Sequence, residues 1–178
     1  MINALSRLVL ARLAFAGVIT LSMLGKSEGK DTVIGEGPFR LTLPGQWRTE
    51  QSSDPTRWVY RSDNGEQLTV SVLGFKGGLS VDERFKSFKR LTELRKHAEA
   101  ATPGLTAVTT TDTTFGDSGG ILAARYGGTQ PTVHRRFMCL MLGSTSAFWV
   151  FYYESVGLAG SESDARAKTI MNSIVVPR

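Results

Sequence analysis

Phe137-Met138-Cys139-Leu140-Met141-Leu142, then Gly143-Ser144-Thr145-Ser146, then Ala147-Phe148-Trp149-Val150-Phe151-Tyr152-Tyr153-Glu154 is the stretch that decides the fold. Both arms are apolar at odd and even positions alike, so a strand made from either one needs cover on both faces. The connection from Gly143 to Ser146 is too short for a helical crossover, which makes the pair an antiparallel hairpin. The predicted arms, Val133 to Leu142 and Ala147 to Glu154, therefore belong at the centre of a sheet with a helical layer on each side.

The flanking sequence supplies those layers. Upstream, Phe39 to Leu43, Trp58 to Arg61 and Gln67 to Phe75 alternate as strands, the last two joined by the turn residues Asp63-Asn64-Gly65. The polar, glycine-bearing stretch before them reads as a linker. Ser80-Val81-Asp82-Glu83 is a capping box that opens a helix from Val81 to Ala101, with Val81, Phe85, Phe88, Leu91 and Ala98 as its apolar stripe. Thr102-Pro103-Gly104 stops that helix, and Leu105 to Thr114 and Ile121 to Tyr126 follow as strands. Ser161 caps a final helix with Ala167, Ile170, Met171 and Ile174 on one side. The expectation is an α+β protein, a single-domain α/β/α sandwich whose mostly antiparallel twisted sheet has about six to seven strands and a helix on each face.

This order, together with particular residues, resembles the PsbP/Mog1/DcrB-like superfamily of small accessory domains. The likeness rests on Phe39-Arg40-Leu41-Thr42-Leu43-Pro44-Gly45-Gln46-Trp47, on the turn at Asp63-Asn64-Gly65, on the aromatic strand from Phe148 to Tyr153, and on Ile170-Met171-Asn172-Ser173-Ile174. The resemblance implies an accessory, chaperone-like or partner-binding role and carries no catalytic motif. A shared scaffold does not by itself carry a shared site.

The N-terminus sets the compartment. Arg7 and Arg12 precede an uncharged apolar run from Leu13 to Leu24, and Gly25-Lys26-Ser27-Glu28-Gly29-Lys30 restores polarity, which is a secretory leader pattern. The run is shorter than the roughly 20 residues of a spanning helix. Residues 1–29 are thus expected to be a signal peptide or an uncleaved N-terminal anchor, 30–38 a linker and 39–176 the domain. With no cysteine near the leader, a lipid-anchored form is disfavoured. The product is expected to be exported, periplasmic or secreted, and to meet the membrane only through the leader if that is retained. The formal net charge of +5 falls to +3 without the leader, because Arg7, Arg12 and Lys26 leave with only Glu28. That is no nucleic-acid footprint. Cys139, the sole cysteine, lies among apolar neighbours and reads as a buried thiol.

Gly116-Asp117-Ser118-Gly119-Gly120 resembles serine-hydrolase nucleophile segments. A protease order needs a histidine and an aspartate well upstream, and a hydrolase order needs an acid and then a histidine downstream. His97 lies only 21 residues before Ser118, and no acid stands between Ser118 and His134. The segment is read as a glycine-rich turn in which Asp117 and Ser118 bond local backbone. No His, Cys or carboxylate pair has metal-ligand spacing, so no cofactor is expected. His134 and Cys139, five apart on one predicted strand, would point to opposite faces.

The candidate binding residues are the basic side of the first helix, Lys86, Lys89, Arg90 and Lys96, and Trp47, which could serve as core or as a rim aromatic. Asp82, Glu83, Glu93 and Glu99 share the helix, so a plain solvated face is the competing reading. The resulting expectation is a non-enzymatic exported protein that binds another envelope or secreted protein, in a chaperone-like, assembly or immunity-type role. A carrier of a small apolar ligand is the alternative, and a hydrolase using Ser118 the remote one.

Overall fold

The computed structural model describes residues 30–34, 39–101 and 109–176. The leader and the helix stop at Thr102-Pro103-Gly104 lie outside the described residues. In chain order the elements are β1 (Thr32–Ile34), β2 (Leu41–Leu43), β3 (Trp47–Glu50), β4 (Arg57–Ser62), β5 (Glu66–Gly74), α1 (Val81–Ala101), β6 (Thr109–Thr110), β7 (Thr114–Ser118), β8 (Ile121–Gln130), β9 (Arg135–Gly143), β10 (Ala147–Val156) and α2 (Gly160–Asn172). The main sheet has eight strands in the order β3-β4-β5-β10-β9-β8-β6, with β7 also on β8, and every pairing in it is antiparallel.

As the all-apolar pattern requires, β9 and β10 are central, in register from Phe148 opposite Gly143 to Val156 opposite Arg135. Side chains alternate between two cores. Phe137, Cys139, Met141, Phe148, Val150 and Tyr152 join Phe88 of α1, Leu122, Ala124 and Tyr126. Leu140, Trp149, Phe151 and Tyr153 face the other way, toward Ala167, Ile170 and Met171 of α2 and Phe39, Leu41 and Leu43. Burying each such aliphatic or aromatic side chain is worth about 1.5–3 kcal/mol relative to exposure.

The sheet exceeds the expected strand number for two reasons. Trp47–Glu50 is mostly exposed and carries too few apolar residues to show a period, yet it pairs with β4. The described part of the threonine-rich segment is divided into β6 and β7, separate strands on the same partner, β8. The linker also holds structure, since β1 pairs with β2 in a small second sheet. Its anchor is Thr32, whose hydroxyl donates to the Gly45 carbonyl at 2.9 Å and accepts from the Trp47 amide at 3.3 Å. Three residues are too few for alternation to be legible.

The capping box forms as expected, with the Ser80 amide donating to Glu83 and the Glu83 amide to the Ser80 hydroxyl. The apolar stripe does not lie as expected. Val81 is 67% and Phe85 49% exposed, and Ala98 is exposed, whereas Arg84, Phe88 and Thr92 are the buried positions. The i, i+4 series 84, 88, 92 faces the sheet because Phe88 packs directly on Gly143, where a Cβ would come within 2.7 Å of its ring. A drifting stripe is ambiguous by half a turn, and here a polar flank won.

Ser161 does not cap the last helix. The N-cap is Ala159, and α2 begins at Gly160, where a Cβ would stand 2.4 Å from the Arg136 guanidinium. Ser163, one turn in, is buried, and its hydroxyl shares a 2.6 Å hydrogen bond with that of Ser155. At the other end Ser173 accepts from the Thr42 amide at 2.9 Å, and Val175 and Arg40 exchange backbone hydrogen bonds, so the C-terminal segment is tied to β2.

Under α2 one ion pair has a fully buried carboxylate and a half-buried guanidinium. The Glu66 side chain, 0% exposed, receives Arg166 Nε at 2.6 Å and Nη2 at 2.7 Å, together with the Tyr153 and Ser62 hydroxyls, both at 2.9 Å. Arg166 also donates to the Pro44 carbonyl at 3.0 Å. Every oxygen of Glu66 is satisfied, which is the condition under which a buried pair is tolerated.

Candidate protein-binding cleft

The second helix is clamped by side chains spread along its apolar face; α1 is held differently. At its N-terminal end Arg84, with its side chain 8% exposed, donates to the Gly120 carbonyl at 2.6 Å and stands 4.0 Å from Asp117. Towards its C-terminal end Glu99 accepts from the Tyr152 hydroxyl at 3.0 Å and from Arg135 Nη2 at 3.4 Å. Arg135 also bonds Glu154 at 2.9 Å and lies 5.0 Å from the centre of the Phe137 ring, which stacks on Tyr152. Burial opposes the charge on Arg135, but Tyr152, Glu154 and Glu99 outweigh it and hold the guanidinium pKa above its usual value.

Between these two ends α1 leaves part of the sheet uncovered. Phe85, Phe88, Phe115, Gly116, Leu122 and Ala123 line a cleft of about 270 Å³ between α1 and β7. An adjoining one of about 250 Å³ runs past Val81, Asp82, Arg84 and Lys86. The two share Phe85, Asp117 and Leu122. Phe115 is 43% exposed and pairs with Ala124, which fixes its side chain on the α1 face.

The sequence candidates divide. Lys86, Lys89 and Arg90 are exposed on α1, and Lys86 lines the cleft; Lys96 is half-buried further along. Among the described residues none of the four makes an ion pair within 4 Å. Trp47 does not join them, because β3 lies at the opposite edge of the sheet and its indole donates to the Pro44 carbonyl at 3.1 Å while packing on the α2-side core. Phe85 and Phe115 were missed as surface residues. Phe85 fits an apolar helical stripe, and Phe115 sits beside a glycine-rich motif, so neither local pattern marks them as surface residues.

That motif is a hairpin turn. Gly119 and Gly120 both have positive φ (59° and 83°), as a two-residue turn between paired strands requires, and Asp117 accepts from the Gly120 amide at 3.2 Å. Ser118 is exposed in β7. His134 follows the far end of β8, about 30 Å from the turn at strand rise. His97 is thirteen residues beyond Arg84 on α1, about 20 Å along the helix. Neither histidine reaches Ser118. His134 also lies outside the strand it was assigned to, in a left-handed conformation (φ 50°) after a 3-10 turn at Pro131–Val133, so the parity argument against a pair with Cys139 does not apply. Cys139 is fully buried, and burial pushes its thiol up to about 11, partly offset by Tyr126 and Arg95. Among the described residues no group of three His, Cys, Asp or Glu could hold a metal, and no helix is long and apolar enough to cross a membrane.

No family model matches the sequence, and no curated protein matches it. Solved structures do. Cyanobacterial PsbP (CyanoP) from Synechocystis superposes with a TM-score of 0.63 at 12% identity, covering 86% of this chain and 96% of that one. A weaker similarity, TM-score 0.44 at 12% identity over 83% of this chain and 96% of the other, is to the Ran-binding protein Mog1p of Saccharomyces cerevisiae. At such identity the likeness is one of architecture: eight antiparallel strands between two helices, covering nearly all of the neighbour, give this chain the fold of PsbP.

Proposed function

We propose that this chain is an exported, non-enzymatic accessory protein of the cell envelope whose role is to bind another protein. The observation that carries the reading is the cleft between α1 and β7, where the rings of Phe85 and Phe115 stand open at the surface beside the exposed Lys86 and Lys89. Apolar surface kept exposed and bordered by charge is what a partner-binding site presents. Export is supported by the leader pattern. Pull-down from an envelope fraction with residues 30–178, under several crosslinking conditions, is expected to recover a specific partner, and recovery of none overturns the reading. Fractionation with N-terminal sequencing tests the leader, for which a full-length cytosolic product is the adverse result.

The same ring-lined cleft favours a second reading, a carrier of a small apolar ligand. Native mass spectrometry separates the two, since a carrier retains ligand mass through purification.

A further inference from the structure

We propose that the partner docks as an added β-strand along β7, as an extended segment with alternate apolar side chains and acidic flanks. This rests on the partner-binding reading above and names the surface and the chemistry it takes.

The two-residue turn makes Ser118 and Ile121 a directly hydrogen-bonded pair, and alternation then pairs Gly116 with Ala123 and Thr114 with Arg125 in the same way. The amides and carbonyls of Phe115 and Asp117 therefore face away from β8. Among the described residues nothing pairs with that side of β7. A strand laid there finds hydrogen-bonding groups at the edge and, on the α1 face, the Phe85 and Phe115 rings for every second side chain.

The opposite edge of the sheet is not an equivalent site. On β3, Trp47 gives its amide to Thr32, while Arg48 and Glu50 are drawn into ion pairs with Asp63 and Arg61. Charged side chains of that kind blunt an edge. Thr114-Phe115-Gly116-Asp117-Ser118 carries one charge, and Asp117 is committed to the Gly120 amide and Arg84.

Charge selects the flanks of the partner. On the first half of α1 the cations Arg84, Lys86, Lys89 and Arg90 outnumber the acids Asp82 and Glu83, and Asp117 is answered by Arg84. Lys86 lines the cleft, and Lys89 stands one turn from Phe85; both are exposed and neither forms an ion pair among the described residues. The excess charge beside the cleft is positive, and it favours carboxylates.

The test is titration of ¹⁵N-labelled residues 30–178 with a synthetic peptide of alternating valine and threonine carrying two glutamates at each end. The Phe115 and Asp117 amides are expected to shift the most and to gain exchange protection. Lys86→Glu with Lys89→Glu, two exposed changes, should weaken binding at least tenfold, and Phe115→Pro, which removes an outward amide and a ring, should abolish it. If Phe115→Pro unfolds the domain, Phe115→Asp serves in its place. Shifts centred on β3, undiminished binding by the charge-reversed domain, or no binding at millimolar peptide each overturn the proposal. The two readings fail separately. A wild-type domain that captures no envelope partner defeats the function, whereas a partner captured equally by the wild-type and Phe115 variants defeats only this surface.

Discussion

The two faces of the sheet are covered in physically different ways. Beneath α2 the contact is a continuous apolar core with the fully satisfied Glu66–Arg166 pair inside it and the Arg136–Asp164 pair at its rim, and the Trp149 indole N–H is its unpaired polar atom among the described residues. Beneath α1 an arginine, a threonine and a phenylalanine take the buried positions, and among the described residues Arg84 Nε, Gln130 Oε1 and Arg135 Nη1 are buried without a hydrogen-bond partner. Unpaired buried polar atoms cost free energy, so α1 is attached with less net gain than α2. The fold thus has a structural face and a yielding face, and the open cleft lies on the yielding one.

The largest effect is expected from breaking the structural face. Arg166→Ala strands the Glu66 carboxylate with no exposure to water and should lower stability by about 3–5 kcal/mol, read from the urea midpoint. Arg84→Ala, the counterpart on the other face, should cost less than half as much, because Asp117 is 53% exposed and can be solvated instead. Equal losses would erase the distinction.

Next in size is Phe88→Ala, which removes the apolar anchor of α1 between its polar ends and should cost about 3 kcal/mol. Hydrogen exchange should show α1 amides losing protection while those of α2 keep theirs. Loss of protection in both helices together would mean the two faces unfold as one unit.

Alkaline pH should sharpen the contrast further. Burial raises Cys139 on the α1 face from 9.0 to about 11 and Tyr60 on the α2 face from 10.0 to about 12. Both groups are neutral in the folded state and deprotonate earlier in the unfolded chain. Their contribution is thus complete below pH 9 and is lost as pH rises, first through about 11 for Cys139 and then through about 12 for Tyr60. Burial raises Tyr126, Tyr152 and Tyr153 as well, so stabilities from urea unfolding at pH 8 and pH 10.5 should differ by several kcal/mol, of which Cys139→Val should remove about 2 kcal/mol.

The smallest effect is predicted for Ser118→Ala, an exposed position on β7, at within about 0.5 kcal/mol of wild type and without loss of any phenotype. A specific loss of turnover in a folded variant would instead make Ser118 a nucleophile.

The central hairpin was legible in the sequence because an unbroken apolar run in a strand has one explanation, cover on both faces. The α1 boundaries and capping box were legible for a similar reason, since local hydrogen bonding at Ser80 and Glu83 depends on nothing distant. Short strands were not. Thr32–Ile34 and Trp47–Glu50 are held by partners elsewhere in the chain and are too brief to display a period. The cleft was half legible: Lys86, Lys89 and Arg90 were identified as an exposed basic side, whereas Phe85 and Phe115 were not, because an apolar residue in a helix or strand is assigned to the core by default.

What the sequence determined by itself was everything set by local period and local chemistry: the dry centre of the sheet, the long helix and its cap, the glycine turn at 119–120 and a secretory leader pattern. Tertiary structure decided how α1 is rotated on the sheet. Its apolar residues are spread over more than one stripe, so helical period alone does not choose the rotation, and the choice fell to distant groups. Gly143 admits the Phe88 ring, and the Gly120 carbonyl and Tyr152 hydroxyl receive Arg84 and Glu99 respectively. That rotation is what leaves Phe85 open beside Phe115.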